Sequence, residues 1–176
     1  MLHRELGEDR RALRAAVTDF VAEGASFIAE RASHRRSFLL PMAPAQAIAY
    51  FTPEGERAWA DDWDPVYVHP ATGATEEGMV FTTAAGGEAT LWLLTKYEPG
   101  AGRAEYARIT PGSRIAVVKV LCEVEGAQTR VSVSYTMTGL SDSGNQYVRE
   151  MSARRFADYI DTWPASIAKA RAIDRQ

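Results

Sequence analysis

SGNQYVREMSARRFADYIDTWPASIAKARAI, residues 143–173, places Val148, Met151, Phe156, Tyr159, Ile160, Trp163 and Ile167 at three- and four-residue steps. That spacing predicts one long helix carrying a wide apolar stripe. Such a stripe must be buried against something. The chain between about Arg36 and Ser141 reads as strands and short turns, so the simplest cover is an antiparallel sheet wrapped around the helix. The fold class is therefore α+β.

From Val66 onward the apolar rhythm has a period of two, and strands are expected at 66–69, 79–84, 89–98, 103–109, 113–124 and 128–140. The turn signals between them are short: Gly86-Gly87, Pro99-Gly100, Pro111-Gly112 and Glu125-Gly126, which favours an antiparallel meander. In the last strand Val131, Val133, Tyr135 and Met137 share one face, and Arg130, Ser132, Ser134, Thr136 and Thr138 share the other. The strand before it is apolar on both sides, with Ala116, Val118, Val120 and Cys122 against Ile115, Val117 and Leu121. Two buried faces or a partner over the outer side would each explain this.

Upstream, a first strand is expected over 36–42 and a short helix from Pro44. Thr52 is placed to cap another short helix starting at Pro53 in TPEGERAWADDWDP. Residues 2–31 carry Leu6, Leu13, Val17, Phe20, Val21, Phe27 and Ile28 near a seven-residue rhythm, which predicts an amphipathic helix that Gly24 interrupts or ends. Its stripe packs on its own domain or on another subunit. Acids interspersed among Arg10, Arg11, Arg14, Arg35 and Arg36 favour a solvated face over a membrane-surface helix.

Composition narrows the class. The 176 residues are 46% hydrophobic and 24% charged, with a net charge of −3, as in one soluble domain without a field that attracts nucleic acid. No apolar run approaches the ~20 residues of a membrane span, and the charged N-terminus lacks a signal peptide's apolar middle, so a cytoplasmic location is expected. The single cysteine, Cys122, rules out an internal disulfide. His3, His34 and His69 lack ligand spacing, no G-x-S-x-G occurs, and neither glycine cluster precedes a helix start. No metal or nucleotide cofactor is expected.

The order strand, short helix pair, curved antiparallel strands, C-terminal helix resembles the START/SRPBCC superfamily. The stretches FTPEGERAWADDWDP, GMVFTT, LWLLTKYEP, YARITPGSRIAVVKV and VSVSYTMTGLSDSGNQYV, with the helix bearing Trp163, look like uncharacterised bacterial members. The resemblance spans about Arg36 to Ile173. It implies a helix-grip fold of six or seven strands in a domain over 36–176 and leaves outside it the helical extension over 1–35, which is read from the apolar rhythm alone. It also implies a cavity between sheet and helix for a small hydrophobic or amphipathic molecule.

The residues expected to line such a cavity are Trp59, Trp63 and Tyr67 near a mouth, Phe81, Trp92, Tyr106, Arg108, Tyr135 and Met137 on strands, and Phe156 on the helix. Lys119 and Tyr147 join this polar and aromatic set. Arg108 and Lys119 either point inward, where each would need an acid or an anionic ligand, or point to water, Arg108 then standing beside Glu105 or Glu123. Binding or carriage of a small molecule is the leading expectation. A cyclase- or dehydratase-like enzyme, with a cavity Tyr or Arg and an acid such as Glu105 or Asp158, is the second. A protein-interaction module like the superfamily's chaperone-activating members is the third. The uncovered apolar faces point to a homodimer.

Overall fold

A computed structural model describes residues 27–85 and 87–173. Seven strands form one sheet: β1 (Arg31–Leu40), β2 (Val66–His69), β3 (Val80–Ala85), β4 (Glu88–Glu98), β5 (Arg103–Thr110), β6 (Arg114–Glu125) and β7 (Gln128–Gly139). The order across the sheet is β1-β7-β6-β5-β4-β3-β2, and every neighbouring pair is antiparallel. Six strands therefore follow the meander that the short turns dictate, while β1 closes the far edge beside β7. A register shift between Leu94 and Lys96 bulges β4 against β5, and a bulge of this kind bends a strand and deepens the sheet's curvature.

The helical stretch expected to be continuous over 143–173 is three helices: α3 (Asp142–Glu150), α4 (Ala153–Ile160) and α5 (Trp163–Ile173). Short helices α1 (Pro44–Ala49) and α2 (Pro53–Glu56) precede them in the chain. The breaks have local causes. Met151 leaves helical geometry (ψ 67°), and the Ser152 hydroxyl accepts the Arg155 N–H at 3.2 Å as a new N-cap. Pro164 has no N–H to donate and is accommodated only in the first turn of α5. The apolar stripe survives the breaks, because Val148 (3% exposed), Phe156 (2%), Ile160 (0%) and Trp163 (7%) are all buried. Phe156, Ile160 and Trp163 share a core with inward-facing strand residues such as Leu94, Val118, Val131 and Val133, while Val148 packs in a smaller cluster with Ala116 and Met137.

β1 starts at Arg31, earlier than the expected boundary at residue 36, since Arg31 to Arg35 pair with Thr138 to Ser134 of β7. Residues 27–30 are not helical; the rest of the helix expected over 2–31 lies outside the described residues. On β6 the ambiguity resolves by alternation. Ala116, Val118, Val120 and Cys122 are buried, whereas Val117 is 41% exposed on the outer face, the face that also carries the partly exposed Leu93 of β4 two strands away. Burial pushes the Cys122 thiol up to about 12, so it behaves as a small apolar core residue. Among the described residues, no helix is long and apolar enough to cross a membrane, and no group of His, Cys, Asp or Glu could hold a metal ion.

Candidate functional site: an aromatic cavity with an unpaired arginine

The concave face of the sheet does not close completely on the helices. A first compartment of about 170 Å³ lies among Trp59, Trp63, Phe81, Trp92, Tyr106 and Trp163. A second, of about 250 Å³, lies among Met137, Tyr147, Met151 and Phe156. Arg108, Tyr135 and Tyr159 line both and form the waist between them. An apolar cavity of about 150 Å³ already admits a benzene-sized guest, so each space is ligand-sized.

The walls are built in advance. Phe81 and Trp92 stack at 5.7 Å with planes 5° apart, and Trp63 meets both edge-on, at 6.0 and 5.5 Å. Tyr106 stands perpendicular to Trp92 at 6.2 Å. Each polar tip is tied down: Trp59 donates to the Tyr50 carbonyl at 2.7 Å, and Trp63 to the Pro53 carbonyl at 2.7 Å. Trp92 donates to Thr83 Oγ1 at 3.0 Å, and Tyr106 to the Phe51 carbonyl at 2.7 Å. Rings held at both ends present apolar faces without a rotamer cost on binding.

Trp59 and Trp63 part company despite their four-residue spacing. Asp62 between them adopts a left-handed conformation (φ 58°), available to Asp at modest cost. Trp59 accordingly packs on Phe51 and Trp163 (6.0 and 5.1 Å), and Trp63 on the Phe81–Trp92 stack.

Arg108 points inward. On β5 it shares the face of Ala104, Tyr106 and Thr110, with Trp92 opposite on β4 and Ala116 opposite on β6. Its Nε is sealed from solvent without an acceptor, and its Cζ lies 5.1 Å from the Trp92 ring centre. Lys119 points outward and pairs with Glu105 at 3.0 Å. Glu105 is therefore neither Arg108's partner nor a cavity acid, and Asp158, exposed and 3.8 Å from Arg154, is not one either. Three acids line the first compartment, Glu56 at the end of α2 and Asp61 and Asp62 after it, and Glu56 is the one whose titration Arg108 influences. Desolvation pushes the Glu56 carboxyl up to about 8, against the opposing pull of Arg108. Burial likewise holds the phenols of Tyr106 and Tyr135 well above their ordinary value, so both remain protonated donors.

Of the residues expected at the cavity, Trp59, Trp63, Phe81, Trp92, Tyr106, Arg108 and Tyr135 meet in the first compartment, and Met137 and Phe156 in the second. Tyr67 lines neither. Its ring packs against Gly73, where an added Cβ would stand 2.4 Å away, and its hydroxyl donates to Glu54 while Arg57 covers its face. Sequence reading misses Glu56, Tyr159 and Trp163 as lining residues. Glu56 had a signal, since it stands three residues before Trp59 and seven before Trp63.

A curved antiparallel sheet gripping C-terminal helices around a lined cavity defines a helix-grip protein of the α+β class. In three dimensions the chain is similar to an uncharacterized protein from Rhizobium leguminosarum, with TM-score 0.60, 14% identity, and coverage of 81% of this chain and 97% of that one. It is also similar to a protein of unknown function from Staphylococcus aureus (TM-score 0.60, 10% identity, 84% and 98% covered). A third likeness is to Ara h 8.0201 (TM-score 0.56, 13% identity, 81% and 99% covered). At these identities the likeness is one of fold. No family model and no curated protein matches the sequence.

Proposed function

We propose that this chain is a START/SRPBCC-type binding protein that holds a small, largely apolar molecule between its sheet and its C-terminal helices. The observation that carries this reading is the cavity wall of Trp63, Phe81, Trp92 and Tyr106, in which the polar tips of Trp63, Trp92 and Tyr106 are already hydrogen-bonded within the chain. Small-molecule sites are typically concave and apolar with a few placed polar groups, and Arg108, Glu56 and Tyr135 are such groups here. The test is titration with the neutral fluorophore N-phenyl-1-naphthylamine. Saturable enhancement, reversed by a non-fluorescent apolar competitor and weakened by Trp63→Ala, is expected. Enhancement that never saturates in the wild-type protein would remove the reading.

One observation favours a second, catalytic reading. Glu56, with its carboxyl near 8, and Arg108 line the same compartment, and a carboxyl tuned near neutrality beside a fixed cation suits proton transfer to or from a carbonyl compound. Under that reading Glu56→Gln abolishes turnover of an enolisable ketone while leaving its binding intact. Equal rates for wild type and variant would dismiss it.

A further inference from the structure

Arg108 carries a charge that no ion pair among the described residues answers; Glu56, on the wall of the same compartment, has its carboxyl raised to about 8 and keeps its proton at neutral pH. The Arg108 Nε is buried without an acceptor, and among the described residues no carboxylate pairs with its guanidinium. The other cations that border its strand are paired: Lys119 with Glu105 at 3.0 Å, Arg103 with Glu98 at 3.7 Å, and Arg114 with Glu88 at 2.7 Å. An interior N–H donor on a cation, left without a partner, is costly, and native chains rarely retain one for packing alone.

The surroundings of Arg108 share its preference. Among the described residues no acid lines the second compartment; its polar side chains are Arg108, Arg155, Tyr135, Tyr147 and Tyr159. Phenols and guanidiniums all donate hydrogen bonds, so this space offers donors and positive charge to an incoming group. The first compartment supplies flat apolar walls directly beside it.

We infer that the cargo is an amphipathic monocarboxylate, its aromatic or alicyclic body lying against Trp63, Phe81 and Trp92 and its carboxylate accepting hydrogen bonds from Arg108 at the waist. This inference rests on the cavity-binding reading proposed above and adds the ligand's charge and orientation to it. The planar fork of arginine matches a carboxylate in two parallel hydrogen bonds. A single negative charge fits better than a phosphate dianion, because among the described residues Arg108 is the one cation at the waist. Arg155 is mostly exposed and lies 3.8 Å from Glu150.

The test compares 2-naphthoate, 2-naphthalenemethanol and 2-naphthyl phosphate by calorimetry on the full-length protein at pH 6.5. Wild type is expected to bind naphthoate about 10- to 100-fold more tightly than the alcohol, the gain typical of a desolvated charge-assisted contact, and at least as tightly as the phosphate. Arg108→Gln is expected to bind both naphthoate and alcohol with the alcohol's affinity. An ¹⁵N spectrum of the wild type keeps the inference testable should that variant fail to fold: naphthoate, and not the alcohol, is expected to shift the Arg108 Nε–H resonance. Equal wild-type affinities for naphthoate and alcohol would overturn the inference while leaving the cavity reading intact. No saturable binding of any of the three would remove both. A phosphate bound tenfold more tightly than naphthoate would overturn the carboxylate assignment.

Discussion

The Arg108 guanidinium carbon sits 5.1 Å from the centre of the Trp92 ring. A cation over an indole face recovers about 0.5–2 kcal/mol, more when desolvated, which offsets part of the burden of an interior charge without giving its Nε an acceptor. Trp92 in turn is fixed by its bond to Thr83 and by its stack on Phe81. The pair is thus rigid on one side and unsatisfied on the other.

Arg108→Met follows from this imbalance. Methionine fills much of the same volume, needs no hydrogen-bond partner and packs against aromatic rings. Arg108 is half-buried with its Nε sealed, and removing a sealed donor that has no acceptor relieves a desolvation cost of about 1–3 kcal/mol. Urea unfolding of the ligand-free protein is expected to show unchanged or raised stability for the variant, together with weakened naphthoate binding. A loss above about 2 kcal/mol would mean that Arg108 holds the fold and has no spare binding capacity.

Glu56 gives the pH dependence. Its carboxyl stands near 8 in the folded chain, raised from 4.5, chiefly by desolvation. Between those values the folded state keeps a proton that the unfolded state has lost, so stability falls as pH rises from about 4.5 to 8 and then levels off. The groups that face Glu56 are Arg108, Tyr106, Tyr135 and Tyr159, with Asp61 and Asp62 on the same cavity wall. Glu56→Gln removes the titration, and its stability is expected to decline by about 2 kcal/mol less than the wild type's between pH 5 and 8, a figure discounted for the side chain's partial exposure. Parallel pH profiles for the two proteins would contradict this.

The strands were readable because the physics that sets them is local. In β7 a polar residue nearly always follows an apolar one, and turns such as Pro111-Gly112 admit few connections. The aromatic walls were readable as a set, since Trp59, Trp63, Trp92 and Tyr106 have few other places to go in a one-core domain. The breaks at Ser152 and Pro164 were hidden because the apolar stripe runs on through both, although a capping serine and a proline stand at those positions. Arg108 was left open between cavity and water because its direction depends on β5 keeping the parity of Ala104 and Tyr106, a matter of register across three strands. Tyr67 was misplaced because its fate is decided by the contact with Gly73 and the neighbouring charges of Glu54 and Arg57, none of which has a periodicity.

Tyr159 closes the waist from the solvent side. It is 53% exposed, lines both compartments and meets Trp163 edge-on at 5.4 Å. A half-exposed ring contributes little to the core, so Tyr159→Ala is expected to change stability by no more than about 1 kcal/mol. Widening the entrance should act on rates, as removal of a lid does. Stopped-flow fluorescence is expected to give faster association and faster dissociation of an apolar probe, with dissociation the more affected. Unchanged rates would place the entrance elsewhere.

Gly144 reverses the usual rule for helices. Glycine within a helix normally costs about 0.5–1 kcal/mol relative to alanine, so Gly144→Ala in α3 would ordinarily stabilise. Here a Cβ on residue 144 would stand 1.7 Å from the Ser113 carbonyl oxygen and 3.3 Å from Gly139 Cα, both backbone atoms that cannot rotate aside. The same junction is fastened by the Leu140 N–H to that Ser113 oxygen at 2.7 Å and by Asn145 Nδ2 to the Ile28 carbonyl at 2.9 Å. Relief therefore requires α3 to lift from the start of β6, loosening Val148 from Ala116 and Met137. Gly144→Ala is expected to destabilise by about 2–3 kcal/mol, in the range of other overpacked sites. Thermal unfolding of the variant alongside Gly144→Ser, which adds an atom more, should show a fall in Tm that is larger for serine; a rise in either would mean that the helix approaches the sheet less closely than these distances state.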